Sequence, residues 1–272
     1  MKFRMRPSRV LRKLRAGEIV YSFKINLYDI RVAQIAASFG FDCLWTCMEH
    51  VPNDHFVIET QVLAAKIYDV DLMCRVARGS YSDYIRPFEM DATGIMIPHV
   101  MSLEDAKNAV RMTRFHPIGR RAVDGGNADG AFCNMDFKEY LQEANKERFV
   151  VLQIEDPEPL DELEAIADLP GYDILLFGPG DFSHGIGDPG NMDNPLITKT
   201  REKIATVARK YGKYAGTVGT PSMRQQLIDM GYTFLNMGAD VVGFSNYCHE
   251  VARACGIDTP NELPGQYGGK RE

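Results

Sequence analysis

Short, almost continuous apolar runs alternate along this chain with longer stretches of helical period. Eight runs read as strands: EIVYSFKI (18–25), DCLWTCM (42–48), DLMCRVA (71–77), GIMIPHV (94–100), FVVLQIE (149–155), YDILLFG (172–178), YAGTV (214–218) and TFLNMG (233–238). A strand that is apolar at nearly every position is buried on both faces, as in a parallel sheet. Helical period follows over 30–39, 54–68, 102–113, 161–167, 198–210 and 221–230. The 102–113 stretch opens on Ser102 with Asp105 three residues on, a start that resembles a capping box. Repeated strand–helix units at this spacing predict an α/β fold, a (β/α)8 TIM barrel. A doubly wound open sheet competes, but no Gly-x-Gly-x-x-Gly turn follows the first strand.

Two segments break the rhythm. Residues 116–140 contain RRAVDGGNADGAFCN, rich in Gly, Asn and Asp, and read as a long loop. The last residues carry Pro260, Pro264, Gly265, Gly268 and Gly269 and read as a tail. Residues 1–255 are therefore expected to form one barrel domain and 256–272 a C-terminal tail, within the size range of a TIM barrel. The N-terminal stretch holds Lys2, Arg4, Arg6, Arg9, Arg12, Lys13 and Arg15. Its reading is an extra amphipathic helix whose Val10, Leu11 and Leu14 cover the barrel floor, since no apolar signal-peptide run follows.

Composition narrows the function classes. The formal net charge of −6 gives no electrostatic reason to expect nucleic acid, and no run approaches a membrane span. The six cysteines are scattered without a CxxC pair, which fits free thiols in a reducing, cytoplasmic compartment.

The strand ends carry the chemistry. In a barrel, catalytic groups sit at the C-terminal ends of the strands. There the second strand offers Glu49-His50, the third Arg75, the fourth Pro98-His99, the fifth Gln153 and Glu155, and the sixth leads through Gly178-Pro179-Gly180 to Asp181. Each alone has a structural explanation: Glu155 caps a helix, Arg75 pairs with it, His50 is a solvated loop residue. Together they converge on one mouth. An acid at the end of an apolar strand needs a cation, a proton or a hydrogen-bond network, and two of them suggest a divalent metal held for a small anionic ligand.

These residues resemble the HpcH/HpaI aldolases, metal-dependent class II pyruvate aldolases with a phosphoenolpyruvate/pyruvate-type barrel. GFDCLWTCMEHVPND (40–54), Arg75, GIMIPHVMSLEDAKNAVRMTRFHPIGRR (94–121) with Pro117, Gly119 and Arg121, the Gln153-x-Glu155 pair and LLFGPGDFSHGIG (175–187) are similar to the family's motifs in order and spacing. The resemblance implies Glu155 and Asp181 as ligands of Mg²⁺ or Mn²⁺, with Co²⁺ a further choice. It implies Arg75 at the keto oxygen, Gln153 orienting the metal shell, and backbone around Gly180 and Asp181 holding the substrate carboxylate. His50, with Glu49 beside it, would handle protons, and Val218 would wall the acceptor side. The reaction implied is cleavage of a 4-hydroxy-2-oxo acid to pyruvate and an aldehyde. The assembly implied is a homo-oligomer, a hexamer built as a trimer of dimers, with residues 241–255 forming a helix that packs on or swaps with a neighbour.

One departure alters the proton-handling half. Three residues before His50 the family carries Asp, and this chain carries Cys47. A thiol is a weak hydrogen-bond partner, so His50 loses an anion. Glu49 remains, and Glu89 falls where the family has an acid that reaches a neighbouring subunit's site. A nucleophilic Cys47 is the competing reading of the substitution. Oxaloacetate-type decarboxylation on the same site, and a barrel that binds metal and oxo acid without turnover, stand as alternatives to aldol cleavage.

Overall fold

The computed structural model describes residues 2–265. Eight parallel strands close into a barrel in chain order: β1 (Val20–Lys24), β2 (Cys43–Cys47), β3 (Asp71–Arg75), β4 (Gly94–Ile97), β5 (Phe149–Ile154), β6 (Ile174–Phe177), β7 (Tyr214–Val218) and β8 (Phe234–Ala239), with β8 pairing back to β1. All eight expected strands are present. Helices surround them: α1 (Arg9–Arg15), α2 (Ile30–Ser38), α3 (His55–Lys66), α4 (Tyr81–Glu89), α5 (Leu103–Thr113), α6 (Phe137–Glu147), α7 (Leu163–Asp168), α8 (Pro179–Gly185), α9 (Pro195–Lys210), α10 (Arg224–Met230) and α11 (Asp240–Ala254).

The period of two along each strand sorts side chains between two cores. Val20, Cys43, Trp45, Met73, Met96, Phe149, Val151, Ile174, Leu176 and Phe234 fill the barrel interior, and Val10, Leu11 and Leu14 of α1 join this cluster from below. The alternate residues, such as Ile95, Ile97, Val150, Leu152 and Leu175, pack outward against the helices. Gly94 is fixed by this filling, since a Cβ there would lie 2.1 Å from the Phe149 ring.

The basic N-terminal run is spent on the barrel floor. Arg6 pairs with Asp71 at 2.6 Å and Asp69 at 2.9 Å, while Arg9 and Lys13 meet Asp42 at 3.0 and 2.9 Å. Buried Asp71 also accepts from Ser8 Oγ and the Val10 N–H, so it holds the start of α1 against the foot of β3. No helix among the described residues is long and apolar enough to cross a membrane.

Three elements differ from the expected pattern. Residues 80–89 fall outside the expected helices, yet Tyr84, Ile85 and Phe88 bury one face of α4, Ser80 and Asp83 form a capping box at its start, and Pro87 is tolerated near its end. The expected loop of 116–140 stops early, because the Asp136 side chain caps the Lys138 and Glu139 N–H groups and opens α6. The rest of that segment is pinned from inside: Asp129 accepts from Arg121 and from the Tyr140 hydroxyl, both at 2.8 Å, and the Arg121 guanidinium lies 4.6 Å from the Phe115 ring centre. The glycine-rich turn after β6 is the start of α8, with Gly178 as N-cap and Pro179 in the first helical position, where its missing N–H costs nothing. Of the tail, residues 256–265 carry neither helix nor strand; the remainder lies outside the described residues.

Candidate functional site

The inward positions at the C-terminal ends of the strands form a polar layer above the apolar filling. Lys24, Cys47, Arg75 and Gln153 continue the inward parity of β1, β2, β3 and β5, and Val218 ends β7 against the interior cluster. Glu155 follows β5 and is fully buried. Burial pushes its carboxyl up to about 8, against the opposing pull of the His99 N–H and of the His99 and Arg75 charges. A carboxyl in that state takes up either a proton or a cation.

The cation donors converge there. One ligand atom each from His99, Glu155 and Asp181 lies within 4.8 Å of the others. The His99 backbone takes φ of +46°, a left-handed conformation uncommon for a side-chain-bearing residue. Its N–H donates to Glu155 Oε1 at 2.9 Å, and its Nδ1 meets Asp156 Oδ2 at 2.8 Å, which leaves Nε2 facing Glu155 at 3.8 Å. Burial lowers the His99 pKa, but the Asp156 hydrogen bond and the surrounding carboxylates outweigh it and leave the imidazole above its ordinary value. Gln153 Nε2 donates to Glu155 Oε2, and Gln153 Oε1 is buried with no hydrogen-bond partner among the described residues. Gly178 leaves room for this pair, since a Cβ there would sit 2.7 Å from Glu155 Oε2. Two carboxylates, an imidazole oriented by a third carboxylate and an orphaned amide oxygen fit a divalent ion of hard to borderline character.

The second half of the layer is built around Glu49. Its Oε2 stands 3.0 Å from Arg75 Nε and 3.4 Å from His50 Nε2, and its Oε1 is 3.7 Å from His99 Nε2. Glu49 thus links Arg75 and the imidazoles of His50 and His99. Burial, then the Arg75 charge, holds His50 below its ordinary pKa despite Glu49, so at neutral pH its ring is a neutral proton acceptor. Cys47 Sγ accepts from Arg75 Nε and Nη2, both at 3.4 Å, and from the His50 backbone N–H at 3.4 Å. It therefore positions the guanidinium and the chain, while the His50 ring turns to Glu49.

These groups bring a candidate cation site, a guanidinium held by Glu49 and Cys47, and an imidazole below its ordinary pKa to one barrel mouth, a set suited to stabilising and protonating an enolate. The HpcH/HpaI aldolase/citrate lyase family pattern matches residues 25–246.

The chain belongs to the HpcH/HpaI aldolase/citrate lyase family.

Within that family it is similar to 4-hydroxy-2-oxo-heptane-1,7-dioate aldolase of Shigella boydii, 29% identical over 258 residues, 93% of this chain and 97% of the relative. It is also similar to 2-keto-3-deoxy-L-rhamnonate aldolase of Escherichia coli O17:K52:H18, 30% identical over 235 residues, 86% of this chain and 88% of the relative. The solved HpcH/HpaI aldolase from Desulfitobacterium hafniense superposes with a TM-score of 0.85 at 27% identity, covering 95% of this chain and 98% of that one.

For an HpcH/HpaI chain the expected residues fall as follows. Glu155, Asp181, Gln153, Arg75, Glu49, His50 and Cys47 share the mouth. Gly180 lies in the first turn of α8, whose leading N–H groups lack intrahelical acceptors. Glu89 does not join them: it ends α4, on the floor side, and its charged neighbours are Arg121, Asp129, Asp124 and Arg86. Arg75 pairs with Glu49 rather than with Glu155. Two mouth residues escaped assignment from sequence. His99 was visible only as a strand-end histidine after Pro98, and Lys24 only as the lone basic residue of an apolar run.

Proposed function

We propose that this protein is a divalent-metal-dependent carbon–carbon lyase that cleaves a 4-hydroxy-2-oxo acid to pyruvate and an aldehyde, and joins them in reverse. The observation that carries the reading is the close grouping of His99, Glu155 and Asp181 beside a buried Arg75. Glu155 and Asp181 would hold Mg²⁺, Mn²⁺ or Co²⁺, with His99 Nε2 and Gln153 Oε1 as further donors. When bound, such an ion supplies Lewis-acid polarisation of a 2-oxo acid. Arg75, fixed by Glu49 and Cys47, presents positive charge where the keto oxygen becomes an oxyanion. His50 takes the proton of the 4-hydroxyl as the C3–C4 bond breaks, and returns a proton to C3 of the enolate. The α8 backbone at Gly180 and Asp181 receives the substrate carboxylate, and Val218 borders the acceptor side.

Cys47 favours a second reaction of the same site, decarboxylation of an oxaloacetate-type acid, which needs no base at a hydroxyl. A cytoplasmic homo-oligomer accompanies the reading. On α11 only Asp240 is buried, while Phe244 and Tyr247 are 62% and 64% exposed, an apolar face for a second copy to cover.

The deciding experiment is proton NMR of pyruvate in deuterated buffer. Methyl-proton exchange should require protein and a divalent ion and should stop when the ion is chelated. Well-folded protein that exchanges nothing with Mg²⁺, Mn²⁺ or Co²⁺ would refute the enolate reading.

A further inference from the structure

We infer that Lys24 is a specificity-determining residue that binds a second, remote carboxylate of the substrate, so that the acceptor half is an acidic aldehyde. The inference rests on the aldolase reading for which end of the substrate is which, but the binding itself is independent of turnover. Lys24 is the last residue of β1 and shares the inward parity of Val20 and Ser22, so its side chain enters the mouth. Its Nζ lies 5.2 Å from the centre of the Trp45 ring, and the Arg75 guanidinium carbon lies 5.2 Å from the same ring. Two cations thus flank one indole. Arg75 is matched by Glu49. Lys24 has no ion pair or hydrogen bond among the described residues, and only longer-range charges act on it.

The two acids that come nearest are committed elsewhere. Glu49 is engaged by Arg75 and His50. Asp240 accepts the backbone N–H groups of Asn26, Leu27 and Val241 at 2.7–3.0 Å. An ammonium that is largely withdrawn from water and left unpaired is unfavourable unless an anion arrives. Burial, then Arg75, lowers the Lys24 pKa, and an arriving anion would relieve both effects. One unmatched ammonium matches one carboxylate, so the charge balance favours a monoanion over a dianion such as a phosphate monoester. Lys24 belongs to β1 and the metal-side acids to the β5 and β6 ends, so the cation for the 2-oxo acid and the cation for the remote carboxylate lie on different strands around the mouth.

The test uses oxo acids that lack the 4-hydroxyl and cannot be cleaved. With Mg²⁺-loaded protein, calorimetry should show 2-oxoadipate binding about tenfold or more tightly than 2-oxohexanoate, the scale of one charge-assisted contact. Lys24→Met should erase that preference and leave 2-oxohexanoate affinity within about twofold, while Lys24→Arg, which keeps the charge, should retain the preference. Equal affinity of the unaltered protein for the two acids would overturn the inference. So would parallel weakening of both by Lys24→Met in a variant with unaltered circular dichroism, or trapping of pyruvate on Lys24 by borohydride, which would make it a nucleophile. Pyruvate methyl exchange by the unaltered protein tests the aldolase reading separately, so failure of one does not mask the other.

Discussion

At the scale of the residue, two positions decide how well the mouth works, and they act through different physics. Cys47 changes what orients the chemistry. It holds the Arg75 guanidinium through a weak acceptor and touches His50 only through the backbone, so the imidazole has Glu49 as its close anionic partner, with Asp181 acting from farther off. General acid–base assistance contributes ~10²–10⁴-fold when the base is well held. Cys47→Asp should therefore raise kcat/KM for aldol cleavage by about tenfold or more and leave oxaloacetate decarboxylation nearly unchanged. Steady-state assays of the two reactions check this, and equal changes in both would show that the new carboxylate serves Arg75 rather than His50. Gly178 changes what space is left for the metal. A methyl group there would press on Glu155 Oε2 at 2.7 Å and Gln153 Nε2 at 2.9 Å. Displacing a ligand's supporting contacts costs roughly 10–100-fold in metal affinity. Gly178→Ala should weaken Mn²⁺ binding by that range, followed by electron paramagnetic resonance titration, with the far-ultraviolet circular dichroism intact. The sequence made Glu155 and Asp181 legible because an acid ending an apolar strand has few other uses. It hid His99 and Lys24 because their roles depend on neighbours brought from other strands: Asp156 orients the first, and the prior engagement of Glu49 and Asp240 leaves the second unpaired.

At the scale of the element, the strands were legible and some of the helices were not, for one physical reason. Each strand is buried on both faces and writes an apolar run that no other element needs. A helix over the barrel buries only a stripe, and short ones are set by their caps: α4 begins on the reciprocal Ser80–Asp83 pair and α6 on Asp136. The floor helix α1 shows how unequal superficially similar ion pairs can be. Asp71 is fully buried and gathers Arg6, Ser8 and the Val10 N–H, whereas Asp69 is 55% exposed beside Arg12, itself 52% exposed. Removing one partner of a buried, hydrogen-bonded pair costs about 3–5 kcal/mol, while exposed pairs are worth about 0–1 kcal/mol. Asp71→Ala should accordingly lose at least about 3 kcal/mol in urea unfolding and free α1 to exchange its amides, and Asp69→Ala should stay within about 1 kcal/mol. Equal losses would mean that the basic N-terminal run acts as a diffuse charge rather than through the Asp71 anchor.

At the scale of the whole molecule, the barrel is closed and filled, yet the chain leaves apolar surface that its own core does not use. Phe244, Tyr247 and Val251 project from α11, and Ile35 of α2, Phe39 just after it, Phe56 and Leu63 of α3 and Ile67 just after it are exposed as well. Scattered apolar side chains are ordinary on a protein surface, but a helix of fifteen residues with one buried position has no packing reason to form unless something covers it. Isolated helices of this length are marginal in water, so α11 draws its stability from contact. On the proposed homo-oligomer a second copy would be that cover, because an isologous contact lets one apolar face meet its equivalent. Glu89 gives the assembly a chemical consequence: within one chain it lies on the floor side, so any part it plays at a mouth must be at a neighbour's. Analytical ultracentrifugation of the full chain should give a closed oligomer, with a hexamer expected from the family pattern. The double variant Phe244→Glu, Tyr247→Glu should sediment as smaller species, since two carboxylates buried at an apolar contact cost several kcal/mol. If those smaller species keep pyruvate exchange in full, each mouth is complete within one chain. If exchange falls as they form, and Glu89→Gln in the intact oligomer lowers it likewise, the neighbour supplies part of the site. A chain that sediments as a monomer before any substitution would remove the assembly argument altogether.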